Sequence, residues 1–375
     1  MKKSLNFYSY DSVQNPWIGG GGAYRDSEVL SRMRAHFDGV KLFVGYYPGA
    51  KRRIEKGVEI IPLGIGKNEI LSRITFTIAA NWKLLWQPQI PTGLSLSPYA
   101  PLFMVLLHRK KSYGVLHHII GNNWTKKLGP FGFIAKWIES NYYRLLEHFI
   151  ISNDVVAEQI AELNPSAKIL RTGNGFADNL LQVEDTSQAS SPTLLFIGRL
   201  DPFMKGLDIL IESFALVHKK NPQVKLILAG RGDQESQEKL TSMAKNVNLE
   251  NKVIIKTNIT EADKRKLLSE CTIFVSPSRF EGWGIAAVEA NAAGKPVVVS
   301  EASGFKNSIS QGVSGIRVAI GDTEALAAAL LELLANDEQR KLMGRQAREW
   351  ARQFTWDIIA EKEWNWLAEK WELAP

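Results

Sequence analysis

The sequence of 375 residues contains a single cysteine, Cys271. One thiol excludes a disulfide framework and any zinc site built from several cysteines. The longest apolar run, residues 100–107, stops at the charged stretch 108–111, whereas a membrane-spanning helix needs about 18 apolar residues. The beginning of the chain has two lysines but becomes polar within a few residues, without the apolar segment of a secretory signal. We therefore expect a cytoplasmic protein without a transmembrane helix.

Several ligand-binding motifs are also missing. The six histidines form no HExxH motif, and no DxD pair follows a predicted strand, so we expect no metal site. The glycine run that begins at Gly19 does not form a GxGxxG dinucleotide fingerprint, because Tyr24 occupies the position of the last glycine. No repeat with a period of 20 to 50 residues occurs, which excludes a solenoid or a propeller.

Positive charge is concentrated in the first half of the chain. Residues 1–172 hold 22 lysines and arginines against 12 acidic residues, whereas the remainder holds 24 against 27. This asymmetry favours contact with an anionic membrane, a phosphorylated acceptor or nucleic acid. A merely solvated basic surface is the alternative interpretation.

Short β-branched runs alternate with amphipathic segments in both halves. After residue 190 the predicted strands are TLLFIGRL, VKLILAG, VIIKT, TIFVSP, PVVVS and GIRVA, and the first half repeats the pattern less clearly from LNFYSY to AKILRTG. Such alternation indicates a parallel sheet covered by helices on both faces. We predict an α/β fold with two doubly wound domains.

The domain boundaries follow from composition. Residues 173–192 lose apolar periodicity and gain Ser, Gln, Asn and Asp, as a linker does. Five of the 11 tryptophans fall in the last 26 residues among helix-forming Glu, Lys and Ala, so this helix must dock against other apolar surface. We predict domains at 1–175 and 176–350, followed by a docked C-terminal helix at 351–375.

The clearest candidate site lies between Glu281 and Glu289. A predicted strand ends at Pro277, a glycine-flanked loop holds Glu281, and a helix starts near Gly284. The free N–H groups at a helix N-terminus suit a phosphate, and carboxylates nearby could accept hydrogen bonds from sugar hydroxyls. The arrangement fits a sugar, a diphosphate and a ribose in a row. For either glutamate alone, a dipole partner or a solvated helix residue is the alternative.

Two cations bracket the loop after the first strand of the second half. Arg199 ends that strand, and Lys205 precedes a helix that begins near Gly206. Both cationic groups can converge on one anion above the strand end, where they would neutralise a departing diphosphate in place of a divalent ion. Surface charge is the alternative for this loop.

Two further features occur in the first half. The glycines from Gly19 to Gly22 lie between the first strand and an amphipathic stretch, where they let the backbone approach a ligand, although a flexible linker is the alternative. The strand YGVLHHI carries His117 and His118. Adjacent strand residues point to opposite faces, so one of the two imidazoles faces the predicted site at the carboxyl ends of the strands. A purely structural histidine is the alternative.

The stretch EGWGIAAVEANAAGKPVVVS, the loop GRLDPFMKG and the N-terminal glycines together resemble the retaining GT-B glycosyltransferases of family 4, the glycosyl transferases group 1. The resemblance covers nearly the whole chain. It implies two Rossmann-like domains facing each other across a cleft, with the acceptor in the first, the nucleotide-sugar in the second, and a last helix that crosses back to the first. It also implies retention of configuration without a metal. Phe203 and Met204 lengthen the loop before Lys205 relative to the family pattern.

The resemblance implies a role for each candidate residue. Glu289 binds the ribose hydroxyls, Arg199 and Lys205 hold the diphosphate, and Glu281 faces the transferred sugar. The predicted catalytic residues are His117, with His118 as its alternative, and Glu281; the predicted donor-binding residues are Gly198, Arg199, Lys205, Gly282, Trp283, Gly284, Ile285 and Glu289; Gly20, Gly21 and Gly22 form a loop that closes on the diphosphate or admits the acceptor.

We therefore predict a cytoplasmic hexosyltransferase that moves a sugar from a nucleotide-diphosphate donor to a hydroxyl of a glycan or lipid-linked acceptor, with no cofactor and no nucleic-acid partner. The basic stretch 108–111 and the aromatic, basic stretch 122–146 suit contact with the inner face of an anionic membrane, although a buried helix explains the aromatics equally well. The alternatives are a GT-B enzyme that epimerises its nucleotide-sugar and a non-catalytic nucleotide-sugar-binding protein.

Overall fold

The computed structural model divides the chain into two units. The first holds the residues up to Asn174 together with those from Trp356 onward, and the second holds Gly175–Thr355. Each unit has its own sheet and its own hydrophobic clusters. The described residues are 4–17, 20–86, 91–96, 102–117, 119–121, 124–125, 129–187 and 191–371.

Strands and helices alternate through the described parts of both units. The strands are β1 (Leu5–Ser9), β2 (Val40–Gly45), β3 (Arg53–Glu55), β4 (Val58–Leu63), β5 (Thr92–Ser95), β6 (Ser112–Leu116), β7 (His148–Ile151), β8 (Lys168–Arg171), β9 (Thr193–Arg199), β10 (Lys225–Arg231), β11 (Val253–Thr257), β12 (Ile273–Ser276), β13 (Val297–Ser300) and β14 (Gly315–Val318). The helices are α1 (Gly21–Met33), α2 (Glu69–Leu85), α3 (Gly132–Leu145), α4 (Asp154–Leu163), α5 (Leu207–Lys220), α6 (Gln234–Asn246), α7 (Glu261–Glu270), α8 (Ile285–Ala292), α9 (Ser303–Ser308), α10 (Thr323–Ala335), α11 (Asp337–Ala351) and α12 (Trp356–Lys370). Short 3₁₀ helices occur at Arg34–His36, Phe103–Lys111, Gly129–Phe131, Asp178–Gln182 and Arg352–Phe354.

The sheet of the first unit has the strand order β3-β4-β2-β1-β5-β6-β7-β8. β3 runs antiparallel to β4, and β4 is parallel to β2. Along β1, Leu5 and Phe7 join a hydrophobic cluster with residues of α1 and α12, while Tyr8 joins a second cluster with residues of α2, α3 and α4. Both faces of this sheet are therefore covered, as expected for a mostly parallel sheet.

The sheet of the second unit has the order β11-β10-β9-β12-β13-β14, and its neighbouring strands pair in parallel. Leu194 and Phe196 of β9 belong to one hydrophobic cluster, and Leu195 and Ile197 belong to another. This alternation covers both faces with apolar contacts. The predicted α/β class with two doubly wound sheets is confirmed.

Three details differ from the sequence prediction. β3 and β5 are additional strands. The polar stretch at 173–192 is not a free linker, because Phe176, Leu180 and Val183 are buried in the second unit. The last helix begins at Trp356 and not at 351. Trp350 therefore belongs to the preceding helix, and its indole N–H donates to the Ser308 carbonyl at 2.9 Å.

Candidate functional site

The candidate donor site lies at the carboxyl end of β12. A loop that contains Glu281 follows this strand, and Gly284 caps the N-terminus of α8 with φ +87°. Glycine is favoured in that left-handed region, and a Cβ here would come within 2.4 Å of the Phe305 ring. Gly294, with φ +75°, follows the last turn. The glycines therefore fix both ends of α8 where the sequence predicts them.

An ion pair joins the two loops that precede α5 and α8. Nζ of Lys205 lies 2.8 Å from Oε2 of Glu281, and each side chain is 18% exposed. The Arg279 amide donates to the Met204 carbonyl at 3.1 Å, which ties the two loops together. A Cβ at Gly206 would lie 2.1 Å from the Pro277 carbonyl oxygen, so only glycine fits this approach. Despite the longer Phe203-Met204 loop, Lys205 thus reaches the loop that precedes α8.

Glu289 is buried on α8 and paired with a lysine that sequence reasoning missed. Nζ of Lys264 lies 2.7 Å from Oε1 of Glu289 and 2.8 Å from Oε2 of Glu261. Burial raises the pKa of Glu289, and the Lys264 ammonium opposes the rise. Burial lowers the pKa of Lys264, but the two carboxylates outweigh it and the pKa is raised. Glu289 is therefore a buried member of an ion pair and not a solvated helix residue.

Arg199 lies beside a second arginine at the end of the neighbouring strand. It ends β9 in register with Arg231, the last residue of β10. Both arginines line a depression of about 620 Å³ together with Asp201 and Asp233. Two arginines therefore end adjacent strands beside a depression that also holds acidic side chains. The predicted convergence of Arg199 and Lys205 on one anion stays a prediction.

The remaining donor-binding candidates differ in exposure. The Trp283 ring is 5% exposed and packs edge-on against Phe354, with 5.3 Å between ring centroids, so its side chain is part of the hydrophobic core. Any donor contact at this position must come from the backbone. Gly282 is exposed, whereas Gly198 and Ile285 are half-buried.

The histidine strand of the first unit is shorter than predicted. β6 ends at Leu116, so His117 follows the strand, and the alternation argument for His117 and His118 does not apply. His118 lies outside the described residues. A Cβ at Gly22 would come 3.3 Å from Nε2 of His117, which places the imidazole against the first turn of α1.

Gly20, Gly21 and Gly22 are not the loop that the sequence predicts. Gly20 is the N-cap of α1 in an extended conformation, and Gly21 and Gly22 form the first turn of this helix. The Tyr24 amide donates to the Gly20 carbonyl at 3.2 Å, so the amphipathic helix extends back into the glycine run. The first turn of a helix has N–H groups without intrahelical partners. If these glycines contact the diphosphate or the acceptor, as predicted, the donors are N–H groups at the N-terminus of α1 and not those of a loop. The contact itself stays a prediction.

Three ionisable side chains are buried next to this turn, and sequence reasoning missed them. Arg25 and Asp26 lie on α1, and Glu363 lies on α12; each is at most 2% exposed. Arg25 forms an ion pair with Glu363, and its Nη1 lies 3.5 Å from Oδ1 of Asp26. Burial raises the pKa of Asp26 to about 7, against the opposing Arg25 charge, and burial also raises the pKa of Glu363. The sequence gives no sign of the contact between Arg25 and Glu363, because 338 positions separate the two residues.

Two features are absent from the described residues. No group of three or more His, Cys, Asp or Glu side chains among them could hold a metal ion. Within the same parts of the chain, every helix is too short or too polar to cross a bilayer.

Comparison with known sequences identifies relatives of the second unit. Residues 181–350 match the family described as glycosyl transferases group 1. The phosphatidyl-myo-inositol mannosyltransferase of Mycobacterium leprae (strain TN) is 33% identical over 171 residues, which cover 45% of this chain and 44% of that protein. The chain spans about half or less of the length of the curated relatives that it matches.

Comparison with solved structures extends over both units. Sucrose-phosphate synthase from Thermosynechococcus elongatus superposes with a TM-score of 0.82 at 17% identity, over 100% of both chains. HepE of Anabaena in complex with UDP and glucose gives a TM-score of 0.76 at 17% identity, over 98% of this chain and 100% of HepE. At such identities the likeness shows the fold alone, and the fold is the predicted GT-B fold.

Proposed function

Because residues 181–350 form a glycosyl transferases group 1 domain within a GT-B fold, we propose that this protein is a retaining glycosyltransferase. It moves a hexose from a nucleotide-diphosphate sugar to a hydroxyl group of a glycan or lipid-linked acceptor, without a metal ion or a cofactor. The observation that carries the proposal is the Lys205–Glu281 ion pair directly before the N-terminus of α8.

In the proposed donor complex, the diphosphate meets the free N–H groups of the first turn of α8 and the Lys205 ammonium. Helix-end amides and a fixed cation stabilise the charge that develops on the diphosphate as its bond to the sugar breaks. Glu281 positions Lys205 and accepts hydrogen bonds from the sugar hydroxyls. Glu289, whose charge Lys264 supports, accepts hydrogen bonds from the ribose.

The proposed transfer needs no external base. The acceptor oxygen forms a bond to the anomeric carbon on the face that the diphosphate leaves, and the electron pair of the broken bond goes to a phosphate oxygen. The acceptor proton moves to the same leaving phosphate, so the anomeric configuration is retained. Arg199 is assigned to the diphosphate as well. In the first unit, His117 is assigned to the transferred sugar and the Gly20–Gly22 turn to the diphosphate or the acceptor.

The relatives support the assigned substrate classes. HepE binds UDP and glucose, and the Mycobacterium leprae relative is named for a phosphatidyl-myo-inositol acceptor. By analogy, we assign a nucleotide-sugar donor and a lipid-linked acceptor to this chain. We also place the reaction in the cytoplasm, at the inner face of a membrane, because the positive excess of residues 1–172 suits anionic lipid headgroups.

A donor-binding and product assay tests the proposal. Nucleotide-diphosphate sugars are screened by thermal shift in the presence of a chelator, because a bound donor raises the melting temperature by mass action. The best donor is then incubated with hydroxyl acceptors, and the linkage of the product is determined by NMR. An α-linked product from an α-linked donor is expected. An isomerised donor with no acceptor consumed would identify an epimerase, and binding without turnover would identify a binding protein.

A further inference from the structure

Helix α2 of the first unit has one buried row of side chains and a second row that is apolar and exposed. The buried row consists of Phe76, Ala80 and Leu84, together with Ser72, whose hydroxyl donates to the Tyr46 carbonyl. The other row consists of large apolar side chains, each between 53% and 73% exposed. These are Ile70, Ile74, Ile78 and Trp82, followed by Trp86 at the C-cap, and together they form what we call the α2 stripe.

Each of the first four stripe residues lies opposite a neighbouring buried residue of α2. Ile70, Ile74 and Ile78 each precede a buried residue by two positions, and Trp82 does so as well, which corresponds to about 200° around the helix axis. Stripe residues are spaced by four positions, so from Ile70 to Trp86 the stripe extends about 24 Å and winds by about 160° around the helix axis. A surface helix of a globular protein ordinarily has polar residues on this side.

The charged residues of α2 do not interrupt the stripe. The Arg73 guanidinium lies over the Tyr10 ring at 4.3 Å and forms an ion pair with Glu69 at 2.9 Å. The Lys83 ammonium lies 5.0 Å from the centre of the Phe43 ring. Both cations are thus held against aromatic rings, and a continuous apolar strip of this kind marks an interaction surface.

Neighbouring elements continue the apolar exposure. The 3₁₀ helix Phe103–Lys111 packs beside α2, where the Met104 amide donates to Oδ1 of Asn81 at 2.9 Å. It exposes Leu107, and its Phe103 ring packs edge-on against Tyr142 of α3 at 5.8 Å. α3 in turn exposes Phe133 and Trp137.

The sequence around the stripe is strongly basic. Residues 67–147 hold ten of the 46 lysines and arginines but three of the 39 acidic residues, which equals the formal net charge of +7. Of the three acids, Glu139 is buried and accepts the amides of Ile120 and Gly121, and Glu69 and Glu147 form ion pairs with arginines. The segment therefore presents positive charge together with exposed aromatic and aliphatic side chains.

We propose that the α2 stripe docks into the interfacial layer of an anionic lipid bilayer, with the basic residues 109–111 at the headgroups. Apolar side chains gain by leaving water, tryptophan favours the bilayer interface, and lysine and arginine are attracted to anionic headgroups. Docking of a second copy of the chain would bring two positively charged segments together. The charge therefore favours an anionic lipid bilayer over a second copy. The inference deepens the membrane contact of the proposed function by assigning it a surface.

Vesicle sedimentation with the full chain tests this surface. The chain should bind phosphatidylcholine vesicles that contain phosphatidylglycerol far better than vesicles without it, and salt should weaken the binding. Replacing two stripe residues, Ile74→Gln with Ile78→Gln, should lower the partition coefficient about tenfold or more, because two buried aliphatic side chains are lost. The matched control is Leu216→Gln with Leu342→Gln, two exposed leucines on helices of the second unit. Lys110→Gln should lower binding about fivefold.

Each outcome decides the inference. Equal binding of the stripe variant and the control, or no binding of the unchanged chain, would overturn it. Stripe-dependent self-association in vesicle-free sedimentation velocity would identify a second copy as the occupant and would also overturn it. Thermal melting checks that the double variant is folded, and Trp82→Gln provides a single exposed change if it is not. The vesicle assay contains no sugar donor. If the chain fails to bind vesicles, transfer to a soluble acceptor is still measured separately by the donor-binding and product assay.

Discussion

Buried ion pairs occur in both units, but they connect different parts of the chain. In the first unit, Arg25 and Glu363 join the first helix to the last. In the second unit, Lys264 and Glu289 join two helices, α7 and α8, at the candidate donor site. The first pair holds together segments that are distant in sequence, whereas the second joins neighbouring helices and holds the carboxylate that we propose for ribose binding. The first pair thus serves assembly, and the proposed role of the second is in donor binding.

The largest effect should come from breaking the assembly pair with Glu363→Ala. Arg25 would remain buried with Asp26 as its nearest acid, and removing one member of a buried pair costs about 3–5 kcal/mol of unfolding free energy. Calorimetry of the full chain should show the transition of the first unit at lower temperature and that of the second unchanged. The control is Glu349→Ala, whose carboxylate is 76% exposed. Equal shifts of both transitions would show that the pair does not act within the first unit alone.

The second-largest effect is the pH dependence of the unfolding free energy that is due to Asp26, next to that pair. Its pKa is about 7 in the folded protein and near 3.9 in an unfolded chain, so the folded state binds the extra proton between these values. The unfolding free energy should fall as pH rises from about 4 to 7. Asp26→Asn removes this loss and should stabilise the first unit by at most about 4 kcal/mol at pH 8.

Urea unfolding at pH 5 and pH 8 measures that difference. Burial also raises the pKa of Asp11 to about 6, so the variant should retain a smaller slope of the same sign. An Asp26→Asn variant with the same pH dependence as the unchanged chain would mean that Asp26 is already ionised at pH 5.

A third change tests the proposed donor site in the second unit. Lys205→Ala removes the cation beside the N-terminus of α8 and should lower kcat for hexosyl transfer about 100-fold or more, with little change in melting temperature. Steady-state kinetics with the best donor measures the loss. Lys266→Ala, at a lysine that is 72% exposed on α7, is the matched control. Turnover within about twofold for both variants would place the diphosphate elsewhere.

The smallest effect concerns a half-exposed pair in the second unit. Asp208 on α5 receives two hydrogen bonds from Arg279, each of 2.8 Å. Asp208→Ala should lower the unfolding free energy by about 1 kcal/mol, and added salt should reduce the difference. Urea titrations at two salt concentrations measure it. A loss as large as that of Glu363→Ala would remove the distinction between buried and exposed pairs.

Sequence patterns predict the regular parts of this molecule well. Alternating β-branched runs locate β9 to β14, and the glycines at 284 and 294 bound α8, because strand burial and helix ends have local causes. β5 was missed because its Gly93 stands where the Phe7 and Tyr113 rings leave no room for a Cβ, so packing and not strand propensity selects that residue.

The candidate site was predictable in part for the same reason. Glu281 and Glu289 stand out by their spacing along one segment. Lys264 and the Arg25–Glu363 pair depend on which helices pack together, and no local pattern reports such contacts. The glycines at 20–22 predict an exposed loop, yet the amphipathic helix continues through two of them.

The place of α12 in the first unit has a consequence for biosynthesis. Residues up to Asn174 leave the ribosome long before Trp356 does, although both belong to one unit. At bacterial or eukaryotic elongation rates of about 5–20 residues per second, that interval lasts on the order of ten seconds or more. During translation the first unit therefore waits for its last helix while the second unit is synthesised. A chain that is released after Thr355, and so lacks α12, should resist protease in the second unit but not in the first.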